Sequence, residues 1–247
     1  MSIVAAELVK RGALNRPEDD VSSSGGGIDN NCVLDITQLA ANDVLRVVSD
    51  NAGDTTQNVT VTGRLASGAI DTDVIVLNGV TPVAGAKTFE RILKINLSAT
   101  AAGNVTIERN TNPYDDVVIV PAGKTDAAIL FIDSSSEVSQ TVRYEKEFWK
   151  NENGTTTLNA AKVTLTADPS TSIKIGVETA INDIVSVTNR KTVPSNPTFV
   201  DDGVAANVPG NALAAGAAIG VWIEMTRATD AAALKSSYTT KLEGTTV

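Results

Sequence analysis

The sequence predicts an all-β protein: two β-sandwich domains, Ig-like or jelly-roll-like, preceded by an extended N-terminal arm. Three observations predict it. Apolar residues alternate with polar ones over short runs along most of the chain, the period of a strand with one face in a core and one in water. These runs recur with turn residues between them, a spacing typical of sandwiches and barrels and not of βαβ units. Aromatic residues are only 4% of the 247, whereas hydrophobic residues make up 42%. The cores must therefore rest on Val, Ile, Leu and Ala, and the β-branched members of that set suit a pleated surface.

In chain order, residues 1–28 read as the arm. Ile3, Val4, Leu8 and Val9 can form one short amphipathic helical patch. Pro17, the acidic Glu18-Asp19-Asp20 and the run Ser22-Ser23-Ser24-Gly25-Gly26-Gly27 follow it. A Ser/Gly tract buries too little surface to offset the entropy of ordering, so it reads as a flexible tether. Four apolar residues beyond a tether are a candidate patch for docking on a neighbouring subunit, because exposed apolar surface tends to mark partner sites. A frayed terminus is the plainer reading of the same residues.

Residues 29–145 read as the first sandwich domain. Cys32 lies in the apolar run Cys32-Val33-Leu34, where a buried, inert thiol is expected; as the single cysteine it allows no intrachain disulfide. Residues 44–48 form a strand that ends in the turn-prone Ser49-Asp50-Asn51-Ala52-Gly53-Asp54. Val59 and Val61 alternate with Asn58, Thr60 and Thr62. Val74 and Val76 lead into Asn78-Gly79, a pair that supplies the positive φ angles of a tight turn. Residues 89–97, 105–107, 117–120 and 128–132 complete the series.

Residues 141–150 read as the crossover between domains. Val142, Tyr144 and Phe148 share one strand face, while Glu145, Lys146 and Glu147 make the strand polar, and Asn151-Glu152-Asn153-Gly154 provides a turn. Residues 146–247 then form the second sandwich. Its strands are expected at 157–158, 163–165, 173–177, 185–187, 198–200 and 219–225, with Ile219, Val221, Ile223 and Met225 on one face. Residues 229–235 are the one late helical candidate.

The residues exclude more chemistry than they suggest. A net charge of −9 argues against a surface that grips DNA, RNA or anionic lipid. No apolar stretch approaches the roughly 20 residues needed to cross a bilayer as a helix, and residues 1–14 lack the layout of a secretion signal, so cytosolic synthesis is expected. The chain has no histidine, which removes Ser-His-Asp and Cys-His catalysis and histidine-based metal centres. Gly79 to Thr88 superficially resembles a phosphate loop, but its glycine-to-glycine spacing is one residue too long and Ala86 separates Gly85 from Lys87. Three carboxylate pairs remain: Asp71 with Asp73, Asp115 with Asp116, and Asp201 with Asp202. A glycosidase would set such a pair in a cleft with aromatic platforms, which this composition supplies poorly. No spaced loop of calcium ligands is present. Acids in turns are read as solvated charge, and Trp149 and Trp222 as core anchors. No catalytic, metal-binding or cofactor-binding residue is assigned, and no cofactor is expected.

One resemblance adds to this. Asp43-Val-Leu-Arg-Val-Val-Ser49, Asn58-Val-Thr-Val-Thr-Gly-Arg64, Val76-Leu-Asn-Gly-Val-Thr-Pro-Val83 and Lys87-Thr-Phe-Glu-Arg-Ile-Leu93 follow one another in an order that resembles a segment of tailed-bacteriophage virion proteins. Tyr144-Glu-Lys-Glu-Phe-Trp-Lys150 and Ala215-Gly-Ala-Ala-Ile-Gly-Val-Trp-Ile-Glu224 have the same character. The resemblance implies a non-enzymatic virion subunit, first a capsid cement or decoration protein. Its partners would then be the major capsid protein, other virion subunits and copies of itself, and it would reach the particle by assembly in the host cytoplasm. A tail, collar or adaptor component is the alternative, and a carbohydrate-binding or adhesive module a further one. The acidic character suits an outward position better than one against packaged DNA.

Overall fold

The computed structural model describes residues 2–132, 140–168, 172–229 and 237–246. It is 53% strand and 3% helix, so the all-β expectation holds. Among the described residues, helix is confined to two 3₁₀ turns, Ala5–Glu7 and Pro209–Asn211. The chain divides into two compact units. A continuous unit comprises residues 30–129, and a split unit comprises residues 1–29 with 130–247.

Chain order begins with β1 (Leu8–Asn15) and β2 (Ser24–Val33), the latter starting in the split unit and ending in the continuous one. The continuous unit holds β3 (Asp43–Ser49), β4 (Asn58–Arg64), β5 (Ile70–Val76), β6 (Val83–Phe89), β7 (Arg91–Leu97), β8 (Val105–Arg109), β9 (Asp116–Val120) and β10 (Asp126–Ala128). The split unit resumes with β11 (Thr141–Asn151), β12 (Leu158–Ala167), β13 (Ile173–Ile181), β14 (Ser186–Val187), β15 (Ala205–Asn207), β16 (Ala212–Leu213), β17 (Ala218–Arg227) and β18 (Thr239–Thr245).

In the continuous unit, β10-β7-β4-β5 faces a second sheet, β6-β3-β8-β9. Alternation does what the sequence promised. Val59 and Val61 of β4, Ile75 of β5 and Ile95 of β7 point inward to meet Leu45 and Val47 of β3 and Ile107 of β8 in one apolar core. Each such side chain contributes about 1.5–3 kcal/mol before chain entropy is set against it. The lateral seam between β5 and β6 is closed by the buried Asp73 carboxylate, whose Oδ2 accepts the Ala86 and Lys87 N–H groups at 2.7 and 2.9 Å. Of the expected strand at residues 89–97, Phe89 ends β6 and residues 91–97 form β7. Ile129 to Ile132 lie beyond the end of β10.

The split unit pairs the order β13-β17-β11-β1-β2 in one sheet, with β14 on β2. Its other sheet has β12 at the centre, β15 and β16 on one side and β18 on the other. The register runs from Leu8↔Asn151 to Gly12↔Glu147 between β1 and β11, and from Thr141↔Arg227 to Lys150↔Ala218 between β11 and β17. A domain boundary at 145/146 would cut β11 in mid-strand. The expected division into 29–145 and 146–247 is therefore replaced by a split at 129/130, with the N-terminal residues joining the later part of the chain. Residues 198–200 form only an isolated bridge, Ile175↔Val200. Apart from Thr229, the late helical candidate lies outside the described residues.

The arm is the largest correction. Residues 8–15 are a strand inside a sheet, and Ser24 to Gly27 are buried in β2. The helical patch is replaced by the 3₁₀ turn, in which Glu7 accepts the Val4 N–H at 2.9 Å. Gly25 explains why a glycine tract is required here. Its φ is +90°, and a Cβ would stand 2.5 Å from Cη2 of Trp222 and 2.9 Å from the Val185 carbonyl oxygen. Gly25 is required because an indole ring lies against its backbone, and Gly26 has a positive φ of +84°, so these glycines serve a packed strand and not a linker.

Candidate functional site

The chemistry-bearing side chains of the split unit converge on β11. This strand has β1 and β17 as hydrogen-bonded neighbours and carries Arg143, Glu145, Lys146 and Glu147, each 2% exposed or less. Alternation sends them to opposite faces.

On one face Arg143 donates from Nε and Nη2 to the two oxygens of Asp20, at 2.7 and 2.9 Å. Arg190 donates to Asp20 Oδ1 at 2.7 Å, and Lys191 lies 2.6 Å from Oδ2. Three cations on one carboxylate hold Asp20 far below the usual carboxylate range, the Arg143 hydrogen bonds first among the causes. Arg190 also reaches Glu145 at 3.3 Å and the Ile132 carbonyl at 3.3 Å. Burial pushes the Glu145 carboxyl up to about 7, against the opposing pull of the Phe131 N–H at 2.8 Å and of the two guanidinium groups. Further along the same face, Glu147 accepts the Thr240 hydroxyl at 2.5 Å and the Tyr238 hydroxyl at 3.3 Å, and Trp149 Nε1 donates to Thr240 at 3.2 Å. These bonds tie β11 to β18 of the facing sheet.

On the other face, Tyr144, Lys146 and Phe148 meet Trp222 of β17 and Glu178 of β13. Lys146 Nζ contacts Asp183 Oδ1, lies 3.6 Å from Glu178 Oε1, and donates to the carbonyls of Gly26 and Val185 at 3.3 and 3.2 Å. Trp222 Nε1 donates to Glu178 Oε1 at 2.7 Å. Burial, the largest influence on Asp183, raises its carboxyl above the ordinary value.

Of the residues read as a docking patch, Val4 is exposed, Ile3 is half-buried, and Leu8 and Val9 are half-buried within β1, opposite Asn151 and Lys150. They are not gathered on a tethered segment. The carboxylate pairs are separated in role. Asp73 is the seam of the continuous unit, Asp71 pairs with Lys87, Asp115 pairs with Arg109 at 3.0 Å, and Asp201 and Asp202 are exposed in a turn. Gly79 and Gly85 of the phosphate-loop look-alike pack against Ala52 and Asp73. Trp222 is 0% exposed, as a core anchor should be. Cys32 is buried too.

Sequence reasoning passed over the β11 network. Its signal was present: charge of both signs at four of five consecutive positions, interrupted by Tyr144 and followed by Phe148 and Trp149. Such a strand cannot show one wet face and one apolar face, so its charges need partners on both sides.

Comparison of the chain with protein-family models, with curated proteins and with solved structures yields no match in any of the three.

Proposed function

We propose that the chain is a non-enzymatic structural subunit of a tailed-bacteriophage virion, a cement or decoration protein that binds and stabilises neighbouring subunits on the outside of the head. The observation that carries the binding role is the outward face of β5. Ile70, Val74 and Val76 alternate along this last strand of its sheet and are 49%, 57% and 51% exposed. An apolar stripe on an edge strand is a liability in an isolated protein and an asset in one that is covered by a partner. Internally paired charges in the split unit suit a rigid building block, and a net charge of −9 suits the outer side of a particle filled with DNA. The phage assignment rests on the sequence resemblance, and a tail or collar position shares the same features.

The test is the double variant Val74→Asp, Val76→Asp, added to purified particles that lack the protein. The expected result is an unchanged circular dichroism spectrum with attachment reduced at least tenfold. Full attachment by the folded variant contradicts the β5 surface. Copy number in native particles then separates head from tail: a value matching the capsid lattice supports decoration, and a value matching the single tail or neck overturns it.

A further inference from the structure

Lys146, Glu178 and Asp183 form a second buried charge cluster of the split unit, enclosed by aromatic rings. Their side chains are 0%, 1% and 3% exposed, and the Lys146 nitrogen lies 4.9 Å from the Phe148 ring centre and 5.4 Å from that of Trp222. Asp183 Oδ1 receives Lys146 and the Val185 N–H at 3.1 Å, whereas the buried Oδ2 has no hydrogen-bond partner. A buried ion pair kept only for stability is expected to satisfy both oxygens, since each unpaired one carries its full desolvation cost. Glu178 is held beside the pair by the Trp222 indole N–H at 2.7 Å and by Asn196 Nδ2 at 3.4 Å. Gly220 of β17 forms the floor. A Cβ there would stand 2.5 Å from Asp183 Oδ2 and press on Lys146 Cε, so the close approach of amine and carboxyl depends on the missing side chain.

We propose that Lys146 and Asp183 condense within the folded chain, joining Nζ to Cγ as an isopeptide bond, with Glu178 as the proton carrier. One proton moves from the ammonium to the Asp183 carboxylate, because an enclosed apolar site favours a neutral pair over two charges. Burial already shifts the Asp183 carboxyl toward its protonated form. The amine lone pair then adds to Cγ. Glu178 takes a proton from the nitrogen and delivers it to the departing hydroxyl. A C–N bond forms, a C–O bond breaks and one water leaves. Glu178 ends as it began, and neither oxidant, reductant nor cofactor takes part. Holding the two groups in contact supplies the effective concentration that free amines and carboxylic acids lack in water, and excluding water from the site opposes hydrolysis.

The bond would tie β11 covalently to the segment after β13. Denaturant cannot open the loop so formed. The reaction uses each residue once and acts on no outside substrate, so it holds whether or not the virion assignment does.

The test is the intact mass of the full chain in denaturant, followed by digestion and fragment sequencing. The expected result is a mass one water below that of the sequence and a branched peptide joining Lys146 to Asp183. Glu178→Gln, which keeps a hydrogen-bonding side chain, is expected to fold with the wild-type circular dichroism spectrum and to carry the unreduced mass. Lys146→Arg is expected to do the same. A folded wild-type protein with the full sequence mass and no branched peptide overturns the proposal, even if neither variant folds. A branched peptide in Glu178→Gln at wild-type yield overturns the role given to Glu178.

Discussion

Strand β4 in the continuous unit and strand β11 in the split unit each have a hydrogen-bonded strand on either side, yet they bury opposite kinds of side chain. In β4, Val59 and Val61 are inside while Asn58 faces water and Thr60 is half-exposed. In β11, Arg143, Glu145, Lys146 and Glu147 are all inside, on two faces, each with a named partner. The first arrangement is stabilised by area removed from water and loses a little with each methyl group deleted. The second carries large desolvation costs that are offset only while every partner stays in place. The two units should therefore respond differently to the same size of change.

The sharpest contrast is expected at Asp20. Replacing it with Ala leaves Arg143 and Arg190, 1% and 2% exposed, without their shared anion, at a cost of up to about 5 kcal/mol. Urea unfolding monitored by tryptophan fluorescence reads this directly, since Trp149 and Trp222 both lie in the split unit. Asp20 is depressed below its ordinary 3.8. Its contribution is therefore complete above that pH and is lost as the pH falls through the folded value. A loss under about 1 kcal/mol at neutral pH would erase the distinction between the units.

A second contrast uses glycines with similar backbones. Gly25→Ala combines a positive φ with overlap against Trp222 and is expected to cost about 4 kcal/mol. Gly123→Ala, at φ +74° with nothing within 4 Å of the added carbon, is expected to cost about 1 kcal/mol. Equal costs in thermal or urea melts would mean that the backbone angle alone decides, and that the indole contact does not matter.

The smallest effect is a pH slope. The folded value of Glu145 is raised from 4.5 to about 7, so the folded state holds more protons than the unfolded state across that window. Stability assigned to this group is greatest below pH 4.5 and falls as the pH rises to 7, by at most about 3 kcal/mol. Glu145→Gln should remove that component. Parallel stability profiles for the variant and the wild type between those values would show that Glu145 titrates normally.

The same contrast explains what was legible in the sequence. Strands β3, β4 and β5 could be read because one face is wet and period-2 polarity records it. Strand β6, Val-Ala-Gly-Ala-Lys-Thr-Phe, was missed because only Phe89 of it is fully buried and its small residues leave no apolar period. Strands β1 and β2 were misread for a different reason. The property that demands Gly25 is a contact with Trp222, far along the chain, and a composition of Ser and Gly looks the same in a tether as beneath a buried ring. The acidic run reads as part of the arm because the two arginines that claim Asp20 lie in β11 and in the segment after β14. Local pattern reports which face meets water. It does not report which distant residue covers a segment.

The most direct test of this account is native-state hydrogen exchange of the unmodified chain, followed by fragment mass analysis of residues 8–15 and 24–28. These residues are integral strands of the split unit, so their ladder amides should exchange as slowly as those of β11 and β17 and open with them in one cooperative unit. Exchange at the rate of an unfolded peptide, with β11 still protected, would return residues 1–28 to the status of an arm and contradict the fold described for this unit.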